Sequence, residues 1–402
     1  MRKNIGLILA GGFFCGGNVV LTQHRVSVPK WDDTVRKLSS VLEPVYESYN
    51  VGPFTVSDQP FAVLFSTGGI NMCLPSAECP EVWITGPNCS GSQCGISSYS
   101  GAYSDTGRTF GVNFPGGGEV GGKIVLVNAS LGNISFSGLA VGLVSKATER
   151  SGYMYGGVVG LSRAGTLVPS LFASNRISSN LFTFFNPPGR GEGILTLGAV
   201  DPTLYSGTLI HLPNIGSTSW KINLNEISVG ESSAVSSSGT AIIDSGNPYI
   251  IGPSSAVSAL MQSIQSVSGL KVTYNDETGV YLVPCSVAHT LPNVTFTVSG
   301  SDYVKYDISI PGNALFHTDL SDGTNCPFGI QAATSSYGAD WIFGDVFMRQ
   351  FFSVFDYGNS RISLAVAAFN TTTEITVSTN TANTFASIIG SVILILSTLL
   401  LH

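Results

Sequence analysis

Two segments of this chain could do chemistry, and they match in form but not in functional group. Val63-Leu64-Phe65-Ser66-Thr67-Gly68-Gly69-Ile70-Asn71 and Ala241-Ile242-Ile243-Asp244-Ser245-Gly246-Asn247-Pro248 are each an apolar run that breaks into a small, hydroxyl-bearing, glycine-containing turn. Carboxylates presented by two such turns across a cleft can share one water. The ionised one takes the water's proton, and the protonated one polarises the carbonyl under attack. Two like charges that close cannot both ionise, so the pair shares a single proton. Here the second turn supplies a carboxylate, Asp244, and the first supplies only the hydroxyl of Ser66. A hydroxyl is far too weak a base near neutral or acid pH, and the sequence offers Ser66 no partner base to activate it. Losing one general acid–base group costs on the order of 100- to 10,000-fold in rate, and more where the two act as a unit. A lone carboxylate in a wet cleft is expected to titrate near the ordinary value of about 3.9.

The segments around these turns resemble landmarks of the pepsin-like aspartic protease family. Leu74-Pro75-Ser76 follows the first turn as the family's Val-Pro-Ser follows its own. Gly157-Val158-Val159-Gly160-Leu161 is similar to the apolar-apolar-Gly segment that closes the first lobe's active-site loop. The run from Trp341-Ile342-Phe343-Gly344-Asp345 through Phe355-Asp356 resembles its second-lobe counterpart, and that long match is highly specific. Leu195-Thr196-Leu197-Gly198-Ala199-Val200-Asp201-Pro202 and Trp220-Lys221-Ile222-Asn223-Leu224 resemble inter-lobe landmarks. A lone Asp-Ser-Gly would carry little weight; five landmarks in order carry much.

The resemblance covers residues 45–368 and implies a mostly β, bilobal acid-protease fold, with two barrel-like lobes (45–205 and 206–368) flanking a peptide-sized cleft. It implies that Asp244 is the remaining catalytic Asp and that Ser66 stands at the position of the lost one. Thr67, Gly68, Ser245 and Gly246 become supporting residues, with Thr67 and Ser245 as paired hydroxyls bracing the turns. Cys285 and Cys326 become the second-lobe disulfide. Phe114, in Phe114-Pro115-Gly116-Gly117, stands where the family's flap hairpin carries a Tyr, and Cys73 stands where it carries a Trp. The family's Tyr hydroxyl and Trp N–H belong to a network reaching the first Asp, so three members of one network are gone while their scaffold stays. Asn247-Pro248 also replaces the usual Thr/Ser pair beside Asp244. The expected function is lost or severely reduced proteolysis, with the cleft left to bind a peptide or protein ligand. The alternative is a weak or unconventional aspartic endopeptidase in which Asp244 works with Ser66 holding the water. The plainest reading of Asp244 itself is a turn residue satisfied by its own backbone.

Composition agrees with a secreted β protein. The chain has 402 residues, long enough for two cored domains, and only 11% are charged while Gly occurs 47 times. Runs such as Lys123–Val127 and Val294–Val298 read as strands, and 253–267 is the best helix candidate. The net charge of −7 speaks against a nucleic-acid partner. The five His are scattered without metal-ligand spacing, so neither a metal nor another cofactor is expected. Gly189-Arg190-Gly191-Glu192-Gly193 reads as a hairpin loop rather than a phosphate cradle. The expected state is a monomer.

The termini set the compartment. Met1-Arg2-Lys3-Asn4 followed by an apolar run has the form of a signal peptide, taken as 1–18, and 19–44 reads as a short propeptide-like segment or N-terminal extension. A polar Ser/Thr/Asn-rich stretch, 369–387, precedes an apolar tail, 388–402, with no following cation. That tail is short of the roughly 20 residues a spanning helix needs and reads as a glycosylphosphatidylinositol (GPI) signal, a short tail-anchoring helix being the alternative. The expected location is the extracellular face of the cell membrane. Setting Cys15 aside in the signal, six Cys remain, an even count that reads as disulfides; Cys73, Cys79, Cys89 and Cys94 allow three pairings. Sequons at Asn88, Asn128, Asn133, Asn293 and Asn370 mark expected glycan-bearing surface loops.

Overall fold

The computed structural model describes residues 25–28, 50–57, 59–69, 72–76, 103–113, 119–131, 134–147, 157–185, 193–230, 238–275, 280–316, 324–333, 339–368 and 372–378. Strands dominate, as the Val-, Ile-, Thr- and Phe-rich runs require. In the first half, seven strands form one sheet in the order Val51–Val56, Gln59–Ser66, Val158–Gly160, Met72–Pro75, Ile134–Ala147, Glu119–Leu131, Tyr103–Asn113. Val51–Val56 also pairs with Glu119–Leu131, through Thr55 to Ser130 and Val56 to Ala129, which curls the sheet towards a barrel. In the second half, eight strands follow the order Ile330–Ala332, Ile250–Gly252, Trp341–Phe343, Gly239–Ile243, Lys221–Val229, Val294–Ser299, Lys305–Ile310, Glu374–Val377.

A six-stranded sheet joins the halves: Arg25–Val28, Gly193–Leu197, Leu181–Phe185, Phe351–Asp356, Arg361–Ala367, Tyr205–Pro213. Every residue of Phe351–Asp356 is buried, which explains why Phe351, Phe352, Val354 and Phe355 do not follow a strict apolar–polar alternation. Val294–Ser299 alternates instead, burying Val294, Phe296 and Val298 and half-exposing the Thr and Ser between them. Phe182 stacks on Phe355 at 4.8 Å, and Trp220 meets Phe355 edge-on at 5.3 Å, so aromatic rings from distant segments share one core. Trp220 also donates Nε1–H to the Leu161 carbonyl at 2.8 Å, and Tyr357 donates its hydroxyl to the Ser162 carbonyl at 2.7 Å. These bonds pin the segment after the first lobe's central strand to the second lobe.

The best helix candidate forms over Ser254–Ser268, with Val257, Leu260, Met261 and Ile264 buried on one face. It ends at Gly269, whose φ of +69° is the left-handed conformation that closes a helix without strain. Thr273–Asn275, Val280–Pro284 and Asn325–Pro327 make a small sheet beside it, and the disulfide Cys285–Cys326 ties this sheet to the following turn. One boundary needs correction. The second lobe was expected to stop at residue 368, yet Glu374–Val377 adds the edge strand next to Lys305–Ile310, with Val377 opposite Tyr306 and Glu374 opposite Ser309. The strand is only four residues, Glu374-Ile375-Thr376-Val377, mostly exposed and set within a Ser/Thr/Asn-rich stretch, which is why it reads as stalk.

Candidate functional site

Each half builds its turn in the same way. Gln59–Ser66 runs parallel to Val158–Gly160, placing Phe65 beside Val159 and Ser66 beside Gly160. Gly239–Ile243 runs parallel to Trp341–Phe343, placing Ile242 beside Ile342 and Ile243 beside Phe343. On the far side, Met72–Pro75 and Ile250–Gly252 return antiparallel against the same two partner strands. Ser66 and Asp244 therefore occupy matching places, each where a central strand gives way to its turn. The backbone hydrogen bonds Leu161 N to Ser66 O (2.8 Å) and Asp244 N to Phe343 O (3.0 Å) hold them there.

Two hydroxyls lock the turns together. Thr67 Oγ1 accepts from Ser245 N at 2.9 Å and donates to Ile243 O at 2.8 Å. Ser245 Oγ accepts from Thr67 N at 2.9 Å and donates to Phe65 O at 2.7 Å. Both side chains are fully buried, so every polar atom in this four-bond brace finds its partner in the opposite lobe. Asn50, which the sequence reading missed, adds a fifth tie: its side chain donates to Ser245 O at 2.9 Å while its own carbonyl accepts from Phe65 N at 2.8 Å. Nothing in its local sequence marks it, because its partner lies 195 residues away.

Asp244 Oδ1 accepts three hydrogen bonds: from Gly246 N at 2.8 Å, Gly68 N at 3.0 Å and Ser66 Oγ at 3.2 Å. The first is the local turn bond; the other two cross from the opposite lobe, so the residue is more than a self-satisfied turn. Ser66 Oγ in turn accepts from Gly69 N at 3.1 Å. The expectation that Ser66 has no base nearby is overturned: the carboxylate of Asp244 is its hydrogen-bond acceptor. The expectation of an ordinary, wet carboxylate is overturned as well. Asp244 is only 4% exposed, and burial pushes its carboxyl above the usual range despite the donors of Gly246, Ser66 and Gly68 that pull it down. The physical reason is the closeness of the two turns. A Cβ at Gly68 would fall 2.3 Å from Asp244 Oδ2, and one at Gly246 would fall 2.4 Å from Ser66 Oγ. Only glycine lets the backbones approach this far. Asn247 does not touch the carboxylate with its side chain; its Oδ1 accepts from Tyr249 N at 3.0 Å instead.

Comparison with known proteins agrees with this geometry. The family model for eukaryotic aspartyl proteases matches residues 52–367, which is most of the chain. This chain belongs to that family. Among curated relatives, it is 30% identical to cathepsin E of Mus musculus over 367 residues, covering 86% of this chain and 87% of that protein. It is 30% identical to pepsin A of Bos taurus over 325 residues, covering 77% and 81%. It is likewise 30% identical to pregnancy-associated glycoprotein 1 of Bos taurus over 346 residues, covering 83% and 84%.

The remaining site residues are distributed unevenly over this aspartyl protease frame. Tyr103–Asn113 and Glu119–Leu131 pair antiparallel with Asn113 opposite Glu119, while Phe114, the expected flap residue, lies outside the described residues. Cys73 is buried on Met72–Pro75, next to the first turn; Cys79, Cys89 and Cys94 lie outside the described residues, and the pairing question with them. Asn128 is exposed but sits within the strand Glu119–Leu131 rather than in a loop. Asn293 is an exposed loop residue whose side chain donates to Ser309 Oγ at 3.3 Å. Asn88, Asn133 and Asn370, the signal segment 1–18, residues 186–192 of the glycine cluster and the tail 388–402 lie outside the described residues. Among the described residues no helix is long and apolar enough to cross a membrane.

Proposed function

We propose that this aspartyl protease family member has lost most or all proteolysis and uses the site between its lobes to bind a peptide or protein ligand. The observation that carries this reading is the bonding of Ser66. Its oxygen accepts from Gly69 N and its only proton is given to Asp244, so the hydroxyl has no proton left to offer a bound carbonyl. Across from Asp244 the structure sets the Ser66 hydroxyl, and among the described residues no second carboxylate bonds to Asp244 to share a proton or polarise a scissile carbonyl. Asp244 alone can still accept a proton from water or hold one, but half of a two-group mechanism forfeits the concerted transfer. Purified protein incubated with denatured haemoglobin or casein at pH 3–6 should give no pepstatin-sensitive cleavage. Cleavage that disappears in Asp244→Ala would refute this and establish the weak endopeptidase instead.

The same reading places the protein in the secretory pathway, displayed outside the cell on a GPI anchor. It is supported by the basic head and apolar run at the N-terminus and by the polar stretch and short apolar tail at the C-terminus. Phosphatidylinositol-specific phospholipase C should release the protein from intact cells. Retention on the membrane, with a peptide containing Ile393 found in the mature protein, would show a tail-anchoring helix.

A further inference from the structure

One exposed aromatic residue of the second lobe sits in a backbone conformation that its own side chain makes costly. Val294–Ser299 and Lys305–Ile310 are joined by a tight hairpin, in which Gly300 N donates to Val304 O at 2.7 Å and Tyr303 N to Gly300 O at 3.3 Å. Tyr303 has a φ of +64°, the left-handed region that glycine enters freely and a bulky residue enters only under strain. It is also 92% exposed, so packing within the protein does not offset that strain. The tip that presents it is well braced. Ser301 N donates to His211 O at 2.7 Å, and both oxygens of Asp302 are engaged, Oδ1 by Val304 N at 3.1 Å and Oδ2 by the Tyr306 hydroxyl at 2.6 Å. A strained residue held rigidly in solvent points to a use outside the fold.

The chain leaves the second lobe at the same place. Glu374–Val377 runs antiparallel to Lys305–Ile310 with Val377 opposite Tyr306, and Ser378 N donates to Lys305 O at 2.8 Å. Ser378 therefore lies only two residues along the strand from Tyr303. Val377 is 56% exposed there, and Lys305 is exposed beside it. Ten residues, 378–387, separate this point from the apolar tail, a reach of at most about 35 Å.

We infer that this end of the second lobe rests on the membrane, with Tyr303 seated in the headgroup region of a zwitterionic bilayer beside the point of anchorage. The inference rests on the C-terminal anchoring proposed above, and it holds for a lipid or a tail helix alike, since both follow Ser378. A Tyr ring suits that depth, because its body is apolar and its hydroxyl needs a wet partner. Lys305 can lay its methylenes along the same surface and keep its ammonium among phosphates. Asp302 and Lys305 offset each other at the tip, so the hairpin has no net positive charge to select anionic lipid. One ring binds a bilayer weakly by itself. A tether at the same end of the sheet holds it at the surface, where weak affinity is enough.

The anchored protein reconstituted into phosphatidylcholine vesicles, plain or brominated on the acyl chains, tests this. Tyr303→Trp keeps an interfacial ring and adds a reporter; wild type supplies the blank, its Trp220 and Trp341 being buried. Phe172→Trp, on the helix Leu167–Ala173 of the first lobe, places the same reporter at another exposed site. The indole added at 303 should lose emission in brominated vesicles relative to plain ones, and the indole added at 172 should not. Tyr303→Gly should leave the urea midpoint unchanged or raised, since the left-handed position suits glycine. A lowered midpoint would show the ring serving the fold and overturn the inference. Equal quenching at both positions, or none at 303 in protein that stays with the vesicles, would overturn it while the anchor stands. Protein that does not stay with the vesicles would overturn the anchor and this inference together.

Discussion

Ser66→Asp sets a second carboxyl beside Asp244, and the structure indicates what it should do. The hydroxyl oxygen of Ser66 lies 3.2 Å from Asp244 Oδ1. Two negative charges at that spacing, with an effective dielectric of about 20, repel by about 5 kcal/mol. The variant should therefore hold one proton between the two carboxyls far above the usual carboxylate range, and folding must bear the cost wherever that proton is lost. The sign follows from linkage. A carboxyl whose folded pKa is raised binds its proton more tightly folded than unfolded, so its contribution is fully present below the unfolded value of about 3.9. It is lost as pH rises through the folded pKa. Wild-type Asp244, also raised, already follows this trend alone. Ser66→Asp should match the wild type near pH 4 and fall behind it by up to about 5 kcal/mol towards neutral pH.

Urea unfolding of both proteins, disulfides intact, from pH 3.5 to 7.5 measures the gap directly. A variant as stable as the wild type at pH 7, or one whose deficit shrinks as pH rises, would refute the argument from proximity. Activity is the second readout. Little cleavage should return on the proposed reading, in which Phe114 and Cys73 stand where the family's supporting Tyr and Trp would be.

Thr67→Val keeps the volume and removes a hydroxyl that accepts from Ser245 N and donates to Ile243 O. It should cost about 1–3 kcal/mol for each buried partner left unsatisfied, read as a lower urea midpoint. Replacing Cys285 and Cys326 together by Ala opens a link spanning 41 residues, which on chain entropy is worth about 4 kcal/mol, and the loss should vanish when wild type and variant are compared under reducing conditions. Gly68→Ala would put a methyl 2.3 Å from Asp244 Oδ2, so it should destabilise by about 1–3 kcal/mol of overpacking and raise the midpoint of any Asp244-linked pH profile.

The sequence carried the fold because its most specific run, Trp341 to Asp356, encodes strand, turn, short helix and strand in one stretch, and burial is nearly continuous along it. The two turns were legible for the same reason: an apolar strand must end where small hydroxyl residues and glycine begin. What stayed hidden was set by distance in sequence. Asn50 reaches a carbonyl 195 residues away, and the burial of Asp244 depends on Gly68 lying against its carboxylate. Neither follows from the residues beside them. The strand Glu374–Val377 hid for a different reason: its Ile-Thr-Val run is strand-like but only four residues long with Glu374, and the polar stretch around it masks so short a signal.

The asymmetry of the site has a structural logic of its own. At position 244 the fold needs an acceptor that reaches Gly246 N and Gly68 N together, and a carboxyl or its amide does so with one oxygen. A shorter side chain would leave the part-buried Gly68 N–H of the other lobe without its acceptor, at a cost of about 1 kcal/mol. At position 66 the demands are smaller. The group there must accept from Gly69 N and meet Asp244, and a hydroxyl does both with one atom while adding no charge. A carboxylate at 66 adds repulsion that only a shared proton relieves, a cost that proteolysis would justify and ligand binding would not. Of the two positions, 66 is the one where a carboxylate can be given up without unsatisfying the brace. An Asp244→Ser variant should accordingly be less stable than wild type even at pH 4, where charge plays little part, and equal stability there would undo this account of why Asp244 remains.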